Sequence, residues 1–388
     1  MKRGLLILSL LFFYSCKNSE VLFAQGKLLN PIQEPVALKV TIERQVIFVP
    51  VTIEGETYRF LFDSGAPNVV SKELREKLNM KVLKRNPIRD SQGKTRHQNY
   101  VRVPSLELGG QVFEDFVAVE SDLRFSPILN CLNFDGIIGA NLMRKRFWEM
   151  NIADSTLIMS ATKDNWDLKT KPIYRMPFTT KSTGTPVVQL GIKGKKVKGI
   201  TFDTGSSGIL SLPRSTYDGL SPDSLVQKSY GFLSGGLFGS ALDTAEEHVL
   251  PFDFPDSTYY FPVEFESAKS AGLLGMRFMR HFKIFMDWPN QEMLLQPLSL
   301  HQPNPTWPLS PFYEGALIVG NTNSLMDRQL GLDITIGDTI ISCNGVDYSQ
   351  PNREDLCQIY QQFIKAEESL TIGIKGKGEY TIYRQQPY

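Results

Sequence analysis

The sequence has little of several residue types on which common protein functions depend. Its 388 residues include only four histidines, which are scattered without the spacing of a metal site. The net charge is +1, so no excess of basic residues indicates a nucleic-acid partner. The apolar run at residues 4–14 is too short to span a bilayer. Motifs of serine-nucleophile hydrolases, P-loop enzymes, dinucleotide-binding enzymes and Cys-x-x-Cys redox proteins are missing, which argues against those classes.

Cysteine is equally scarce, with four in the whole chain. Besides Cys16, only Cys131, Cys343 and Cys357 remain, and three widely spaced cysteines predict no disulfide framework. Cys343 could pair with Cys357, but we expect free buried thiols instead.

Two short motifs are the most informative feature that the chain does contain. Asp63-Ser64-Gly65 and Asp203-Thr204-Gly205 lie 140 residues apart, and each ends an apolar strand-like run. An apolar-apolar-Gly step follows each motif, at residues 137–139 and at residues 273–275. A single Asp-Gly turn is ordinary, because Asp bonds its own backbone there. Two copies in matched surroundings instead predict two homologous β units that bring Asp63 and Asp203 face to face.

Paired carboxylates have a definite chemistry. Two that lie close together cannot both ionise cheaply, so they share one proton and titrate as a pair. The charged member can take a proton from water, while the protonated member can hydrogen-bond a substrate carbonyl, as in the aspartic proteases. Such a pair hydrolyses a peptide bond without a metal or other cofactor. Gly65 and Gly205 would let the backbone turn tightly beside the carboxylates.

On these motifs, residues 36–298 resemble the retropepsin-like, pepsin-related aspartic proteases, with both lobes fused in one chain. The resemblance implies a mainly β, bilobal fold, with one lobe at 36–165 and the other at 166–298. It implies Asp63 and Asp203 as the catalytic pair, and it assigns Ser64 and Thr204 to the hydroxyls that lock the two loops together. A short helix is expected after each catalytic loop, most clearly at residues 71–78, and another after each Gly step.

The residue after each motif differs between the copies. Ala66 follows the first motif, whereas Ser206 follows the second. A hydroxyl at position 206 could hydrogen-bond Asp203 and favour its charged form. We therefore hypothesise that the shared proton resides mainly on Asp63; the alternative is that Ser206 faces solvent.

Family members cover their cleft with a β-hairpin flap, and each half of this chain has a candidate. In the first half, Ser91, Gln92 and Gly93 occupy a turn between two strand-like runs. In the second half, Gly235 and Gly236 occupy the matching place. Ordinary hairpin loops are the alternative for both.

The N-terminus has the three parts of a secretory signal, predicted at residues 1–16. Its end, Phe13-Tyr14-Ser15-Cys16, resembles a bacterial lipobox, which implies lipidation of Cys16. Residues 17–35 would then be a polar tether, and the protein an exported lipoprotein of the bacterial cell envelope. A plain secretory signal is the alternative.

The C-terminal part is predicted to be a separate module. Prolines at residues 299–311 indicate a stiff linker. Residues 312–388 resemble a small α/β PDZ domain through Leu330-Gly331-Leu332, the segment 336–340 and Asn344-Gly345. Such domains bind a chain terminus by strand addition, here beside a helix at residues 353–367. The loop 313–316 would precede the first strand and cradle the carboxylate, although Glu314 is unfavourable there; a docking or regulatory domain is the alternative.

Together these patterns predict an aspartic endopeptidase of the cell envelope that acts on peptide or protein substrates. It would need no cofactor, bind no nucleic acid and contact the membrane only through its lipid anchor. The C-terminal module would bind a peptide terminus or regulate the protease. The alternatives are a non-catalytic peptide-binding protein that uses the same cleft, or a β scaffold whose Asp-Gly turns are accidental.

Overall fold

The computed structural model describes residues 21–169, 172–223, 225–298, 306–324 and 333–384. The described chain is mainly β, as the sequence predicts. We call residues 21–169 the first unit, residues 172–298 the second unit and residues 306–384 the C-terminal unit. The predicted signal and its lipidation residue Cys16 lie outside the described residues.

The first unit is built around a sheet with the order β1-β9-β6-β10-β5-β4-β8-β7, with β3 paired to β4. Its helix α1 begins after Ser71, whose hydroxyl accepts a hydrogen bond from Leu74 N at 3.0 Å and so caps the first turn. The strands of the unit are β1 (Lys27–Leu29), β2 (Val36–Ala37), β3 (Thr41–Glu43), β4 (Val46–Ile53), β5 (Glu56–Asp63), β6 (Val69–Ser71), β7 (Val82–Arg89), β8 (Thr95–Leu108), β9 (Gln111–Ser121), β10 (Gly136–Gly139), β11 (Phe147–Asn151) and β12 (Thr156–Ser160), and the helices are α1 (Lys72–Lys77), α2 (Pro127–Leu132) and α3 (Ala140–Met143).

The second unit repeats the central arrangement of the first. In the first unit β10 runs parallel to β5 and puts Gly139 opposite Asp63. In the second, β22 runs parallel to β15 and puts Leu274 opposite Phe202, the residue before Asp203. The strands of the second unit are β13 (Tyr174–Thr180), β14 (Pro186–Ile192), β15 (Lys195–Phe202), β16 (Leu210–Pro213), β17 (Gln227–Gly231), β18 (Gly235–Gly236), β19 (Gly239–Ser240), β20 (Asp243–Phe254), β21 (Ser257–Glu266), β22 (Gly272–Leu274), β23 (Phe282–Asp287) and β24 (Glu292–Pro297), and its helices are a 3₁₀ turn (Arg214–Thr216), α4 (Tyr217–Leu220) and α5 (Met276–Met279).

A shared sheet joins these two units. Strands β11 and β12 of the first pair with β23 and β24 of the second through an antiparallel β11–β23 ladder, with β2 and β13 at the flanks. Trp148, Met150, Ile284 and Met286 are fully buried in one hydrophobic cluster that draws on both units. Because the apolar side chains of each unit complete the core of the other, the shared sheet fixes how the two units face each other.

The predicted tether at 17–35 differs from the structure from Val21 onward. Residues 21–24 form a helical turn, and β1 pairs with β9. Phe23 is only 2% exposed and packs against Tyr100. Burial of this aromatic ring stabilises docking of the segment on the first unit, so only the residues before it remain available as a tether.

The C-terminal unit combines a hairpin, a small sheet and one amphipathic helix. The helix α6 buries Leu356, Ile359 and Phe363 on one face, as its apolar spacing predicts, and it is slightly shorter than the expected 353–367. The elements are β25 (Leu309–Tyr313), β26 (Leu317–Asn323), β27 (Ile340–Cys343), β28 (Val346–Asp347), α6 (Asp355–Lys365), β29 (Ser369–Ile374) and β30 (Gly378–Tyr383).

The prediction of a separate module behind a stiff linker is wrong in one respect. Residues 309–311 of the expected linker belong to β25, and the β25–β26 hairpin extends the sheet of the second unit because β26 pairs with β17. The loop 313–316 is predicted to lie before the first strand, but Tyr313 ends β25 and residues 314–316 are the turn of this hairpin. The Leu330-Gly331-Leu332 motif and residues 299–305 lie outside the described residues.

The prediction of free buried thiols is wrong for Cys131 and Cys357 and is confirmed for Cys343. Cys131 in α2 and Cys357 in α6 form a disulfide, with Cα atoms 5.1 Å apart, whereas Cys343 is a buried free thiol. The two bonded residues are 226 positions apart and meet because α2 packs on α6. No local spacing could reveal a pair that only tertiary packing brings together.

Candidate functional site

The two Asp motifs meet through reciprocal hydrogen bonds. The backbone N–H of Ser64 donates to Thr204 Oγ1 at 2.9 Å, and the N–H of Thr204 donates to Ser64 Oγ at 3.1 Å. Each hydroxyl then donates across to the other unit, to the carbonyls of Phe202 and Phe62, at 2.8 Å in both cases. Both side chains are completely buried, so all four bonds are shielded from water and hold the two loops in one fixed arrangement.

Glycine at positions 65 and 205 permits the close approach of the carboxylates. A Cβ atom at Gly65 would clash with the carboxyl group of Asp203, and one at Gly205 would clash with that of Asp63. Each Gly N–H also donates to the Asp of its own motif, at 2.8 Å to Asp63 Oδ1 and at 2.9 Å to Asp203 Oδ1. Any larger residue would therefore force the two carboxylates apart.

The residue after each apolar-apolar-Gly step donates a backbone hydrogen bond to the loop of the Asp motif in the same unit. Ala140 N donates to the carbonyl of Ala66 at 2.9 Å, and Met276 N donates to the carbonyl of Ser206 at 2.8 Å. A Cβ at Gly139 would strike the backbone of Pro67. The glycines are thus required because the crossing strand touches the loop backbone directly.

Burial and mutual charge both act on the two carboxylates. The surrounding protein raises the pKa of Asp63 well above its usual range, first by removing water and then through the charge of Asp203. Burial also raises the pKa of Asp203, which is only 9% exposed. Hydrogen bonds from Asp63 and Gly205 and the positive charges of Lys269 and Lys181 oppose that rise. The proton of the pair is therefore favoured on Asp63 and the negative charge on Asp203.

Ser206 does not provide this asymmetry. Its hydroxyl makes no hydrogen bond to Asp203 among the described residues, although Ser206 lines the cavity beside it. The pKa shifts agree with our hypothesis that the shared proton resides mainly on Asp63. The charges that favour this position belong to Lys269 and Lys181, however, and not to the Ser206 hydroxyl. Sequence reasoning missed both, because Lys181 and Lys269 lie on loops distant from the motif.

Lys269 belongs to a buried polar chain that reaches the cleft. Its ammonium lies 2.6 Å from Glu266 Oε1, and both side chains are only 4% exposed. Ser234 Oγ donates to the other oxygen of Glu266 at 3.3 Å and accepts a hydrogen bond from Gln92 Nε2 at 2.8 Å. This series of hydrogen-bonded side chains links the candidate flap to Lys269, whose charge acts on Asp203.

The two candidate flaps contact each other. Ser91, Gln92 and Gly93 form the tip of the β7–β8 hairpin, where Asp90 Oδ1 accepts hydrogen bonds from the N–H groups of Gln92 and Lys94. Gly235 and Gly236 lie in the small β18–β19 hairpin of the second unit. The hairpins meet where Phe238 N donates to Asp90 Oδ2 at 3.1 Å and Lys94 Nζ donates to the carbonyl of Ser240 at 2.9 Å. A Cβ on Gly236 would strike the Asp90 carboxylate, so this contact needs glycine.

One cavity of about 880 Å³ runs between these elements. Asp203, Gly205 and Ser206 line it together with Ser91, Gln92 and Gly235. Trp307, Leu309 and Tyr360 of the C-terminal unit line it as well. The cleft therefore has walls from all three units, and sequence reasoning did not foresee the third.

Among the described residues there is no group of three or more His, Cys, Asp or Glu side chains arranged to hold a metal ion. Across the same part of the chain, every helix is too short or too polar to cross a membrane.

A comparison with protein families agrees with part of this geometry. A family model described as aspartyl protease matches residues 49–142. Over that segment the chain is similar to aspartyl proteases. The match contains Asp63, Gly65 and the Gly139 step, and it supports protease activity at a coarse level. It ends before the second motif, so the pairing of Asp203 with Asp63 rests on the geometry alone. A search of curated proteins found no match.

Proposed function

We propose that the protein is an aspartic endopeptidase in which Asp63 and Asp203 activate one water molecule. The reciprocal hydrogen bonds of Ser64 and Thr204 are the observation that carries this proposal, because they hold the buried Asp203 and the partly exposed Asp63 against each other. The family match over residues 49–142 supports the same reaction class. In this proposal each of two homologous lobes contributes one Asp, and substrates are peptides or unfolded protein segments held in extended form under the flaps.

The chemistry follows from the asymmetric charge of the pair. Asp203, favoured as the anion, accepts a proton from water as the water oxygen attacks the peptide carbonyl carbon. Asp63, favoured as the acid, donates a hydrogen bond to the carbonyl oxygen and stabilises the gem-diol that forms. The pair then returns a proton to the leaving nitrogen as the C–N bond breaks. Activity requires one proton on the pair, so it falls at low pH, when both are protonated, and at high pH, when both are charged.

The cellular setting is a separate proposal that rests on the sequence. We propose that the chain is exported and anchored through a lipid on Cys16, which would put the active site in the bacterial cell envelope. Metabolic labelling with an alkyne fatty acid tests this, and Cys16→Ser should abolish the label. A label that persists in this variant would contradict it.

The endopeptidase proposal is tested by incubating residues 21–388 with a diverse peptide library from pH 3 to pH 8 and reading the cuts by mass spectrometry. Asp63→Asn and Asp203→Asn are run alongside. Cuts made by the wild type and missing from both variants are expected. Folded wild type that cuts nothing at any pH, yet binds library peptides, would instead favour the non-catalytic peptide-binding alternative.

A further inference from the structure

One end of the cavity that contains Asp203 is built by the C-terminal unit. Its lining residues there are Trp307, Leu309, Tyr360, Phe363, Ile364 and Arg384. Ile364 is 49% exposed even though it lies on the apolar side of α6. This apolar wall and Asp203 therefore line one continuous cavity.

The wall is held in one arrangement by its own contacts. Trp307 Nε1 donates to the carbonyl of Phe363 at 2.9 Å, and the two rings meet edge to face at 5.6 Å. Arg384 lies over the Trp307 ring and donates to the carbonyls of Phe363 and Ile364 at 2.8 and 3.1 Å. A surface fixed before its ligand arrives loses little side-chain entropy on binding, which suits a specificity pocket.

Arg44 faces this wall from the first unit. It lies in the two-residue turn between β3 and β4, where Arg44 and Gln45 both adopt left-handed backbone conformations, with φ of 49° and 62°. Two-residue turns with positive φ at both positions usually contain glycine or asparagine. Arg44 and Gln45 therefore hold a strained backbone conformation in this turn. Its guanidinium lies 4.6 Å from the centre of the Tyr360 ring, across the boundary between the two units.

Arg44 forms no salt bridge within the described residues, although the charge of Glu43 acts on it and partly offsets the effect of burial. Its neighbour Glu43 is paired with Arg59 at 2.6 Å, and neither Nε nor Nη2 of Arg44 has a hydrogen-bond partner there. Of the other two cations that line the cavity among the described residues, Lys269 pairs with Glu266, and Arg384 donates through Nη2 to main-chain carbonyls, although its Nε also has no partner. Burial lowers the pKa of Arg44, so an anion beside it would offset the cost of keeping it charged.

From these observations we propose that this end of the cleft is a substrate subsite for a peptide carboxylate next to a large apolar side chain. Arg44 binds the carboxylate, and the wall of Trp307, Phe363 and Ile364 packs against the apolar side chain. The inference rests on the proposed peptidase function and names its substrate class: acidic-apolar peptides. The carboxylate comes either from an Asp or Glu side chain or from the free C-terminus of the substrate.

Matched peptides test the subsite. A peptide that the wild type cuts is synthesised with Asp or Asn at each position in turn, and with a free or an amidated C-terminus. At the subsite position kcat/KM should be about 10-fold higher for the carboxylate than for the amide, the gain typical of one charge-assisted hydrogen bond. The Asp/Asn arm and the terminal arm distinguish the two sources of the carboxylate.

Variants assign the effect to Arg44. Arg44→Gln should bring the acid-to-amide ratio close to one, and Arg44→Lys should retain part of the preference. Arg102→Gln is the matched control, because Arg102 pairs with Asp115 on the surface and does not line the cavity. Phe363→Leu should weaken the preference for a large apolar neighbour without changing the acid-to-amide ratio.

Three results would overturn the inference. The first is a wild type that shows no preference for the carboxylate in either arm. The second is an Arg44→Gln variant that slows the cleavage of acid and amide peptides equally, because that result indicates only a structural role for Arg44. The third comes from calorimetry, in which the same peptide pairs are titrated into Asp63→Asn. Equal affinity of this variant for the acid and the amide peptide, or no binding of either peptide, contradicts the subsite. That assay needs no turnover, so an absence of cleavage counts against the proposed function and not against the subsite.

Discussion

At the scale of single residues, hydroxyls and glycines define the site as much as the carboxylates do. Ser64 and Thr204 each satisfy a backbone donor and a backbone acceptor of the opposite unit, so every polar group of the lock has a partner. Both Asp side chains can then lie against each other, largely shielded from water, without loosening of the loops. The shared proton follows from that burial, and its position on Asp63 follows from the charges of Lys269 and Lys181 beside Asp203.

The position of the proton can be tested through Lys181. Its positive charge lowers the pKa of Asp203, so Lys181→Met should raise that pKa and move the acid limb of the pH–rate profile to higher pH. Ser206→Ala is the control and should leave the acid limb in place, because the Ser206 hydroxyl does not bond the carboxylate. A shift in the serine variant and none in the lysine variant would restore the explanation based on the sequence.

The sequence predicts residues well where the signal is local. Both motifs end their strands, and helix α1 lies within the expected residues 71–78. The lysines near Asp203, the Glu266–Lys269 pair and Arg44 carry no such signal, because their role depends on which loops the fold brings to the cleft. From the sequence alone, a single basic residue in a loop is interpreted as solvent-exposed until its neighbours in the fold are known.

At the scale of elements, β25 shows why a proline-rich segment can still be a strand. Pro311 lies in β25, which ends the strand order of its sheet and pairs on one side only with β26. The ladder register shifts between Ser310 and Pro311, so the missing N–H of proline falls at an irregularity of an edge strand. The composition indicated a linker because edge strands tolerate the residues that mark linkers.

The β20–β21 hairpin contains a pair of acidic residues with a measurable consequence. Glu247 lies directly opposite Glu264, and burial together with the charge of Glu264 raises the pKa of Glu247 to about 7. In the unfolded chain the pKa is about 4.3. The protonated side chain is therefore favoured by folding, and this contribution is fully present below pH of about 4 and lost as the pH rises through about 7.

Glu247→Gln removes the cost of keeping a charged carboxylate at this position in the folded protein at high pH. We expect the variant to be more stable than the wild type at pH 8, on the order of 1–3 kcal/mol, and nearly equal to it at pH 4. Thermal melts at the two pH values measure the difference. Glu246→Gln is the adjacent control with the opposite sign, because Arg214 and Lys228 lower the pKa of Glu246 and the variant should lose stability at pH 8. Equal melting changes at both pH values would contradict the account.

At the scale of the whole molecule, the C-terminal unit is fastened to both of the others. The β17–β26 ladder and the stacked rings of Phe232 and Phe312, 4.1 Å apart, hold it to the second unit. The Cys131–Cys357 disulfide and hydrogen bonds from Arg353 to the carbonyls of Arg124 and Phe125 hold it to the first. It bridges the two units at one end of the cleft, so its attachment affects the shape of the cavity.

Removal of the disulfide tests this attachment. Cys357→Ser should lower the free energy of unfolding by about 2–4 kcal/mol, the usual contribution of such a bond. A reducing agent should lower the melting temperature of the wild type to that of the variant and leave the variant unchanged. Cys343 is the internal control in thiol labelling, since burial raises its pKa to about 11 and it should stay unmodified in the folded protein. A cross-linked peptide that joins Cys343 to Cys357 would contradict the pairing.

The measurement that tests the central claim most directly is a double-mutant cycle on Asp63 and Asp203. The value of kcat/KM is measured on one cleaved peptide for the wild type, Asp63→Asn, Asp203→Asn and the double variant, with the fold checked by thermal melting. If the carboxylates act as one unit, each single variant loses on the order of 10³-fold or more and the double variant is no slower than either single one. A single variant that keeps a tenth of the wild-type activity, or losses that add up in the double variant, would contradict a shared pair.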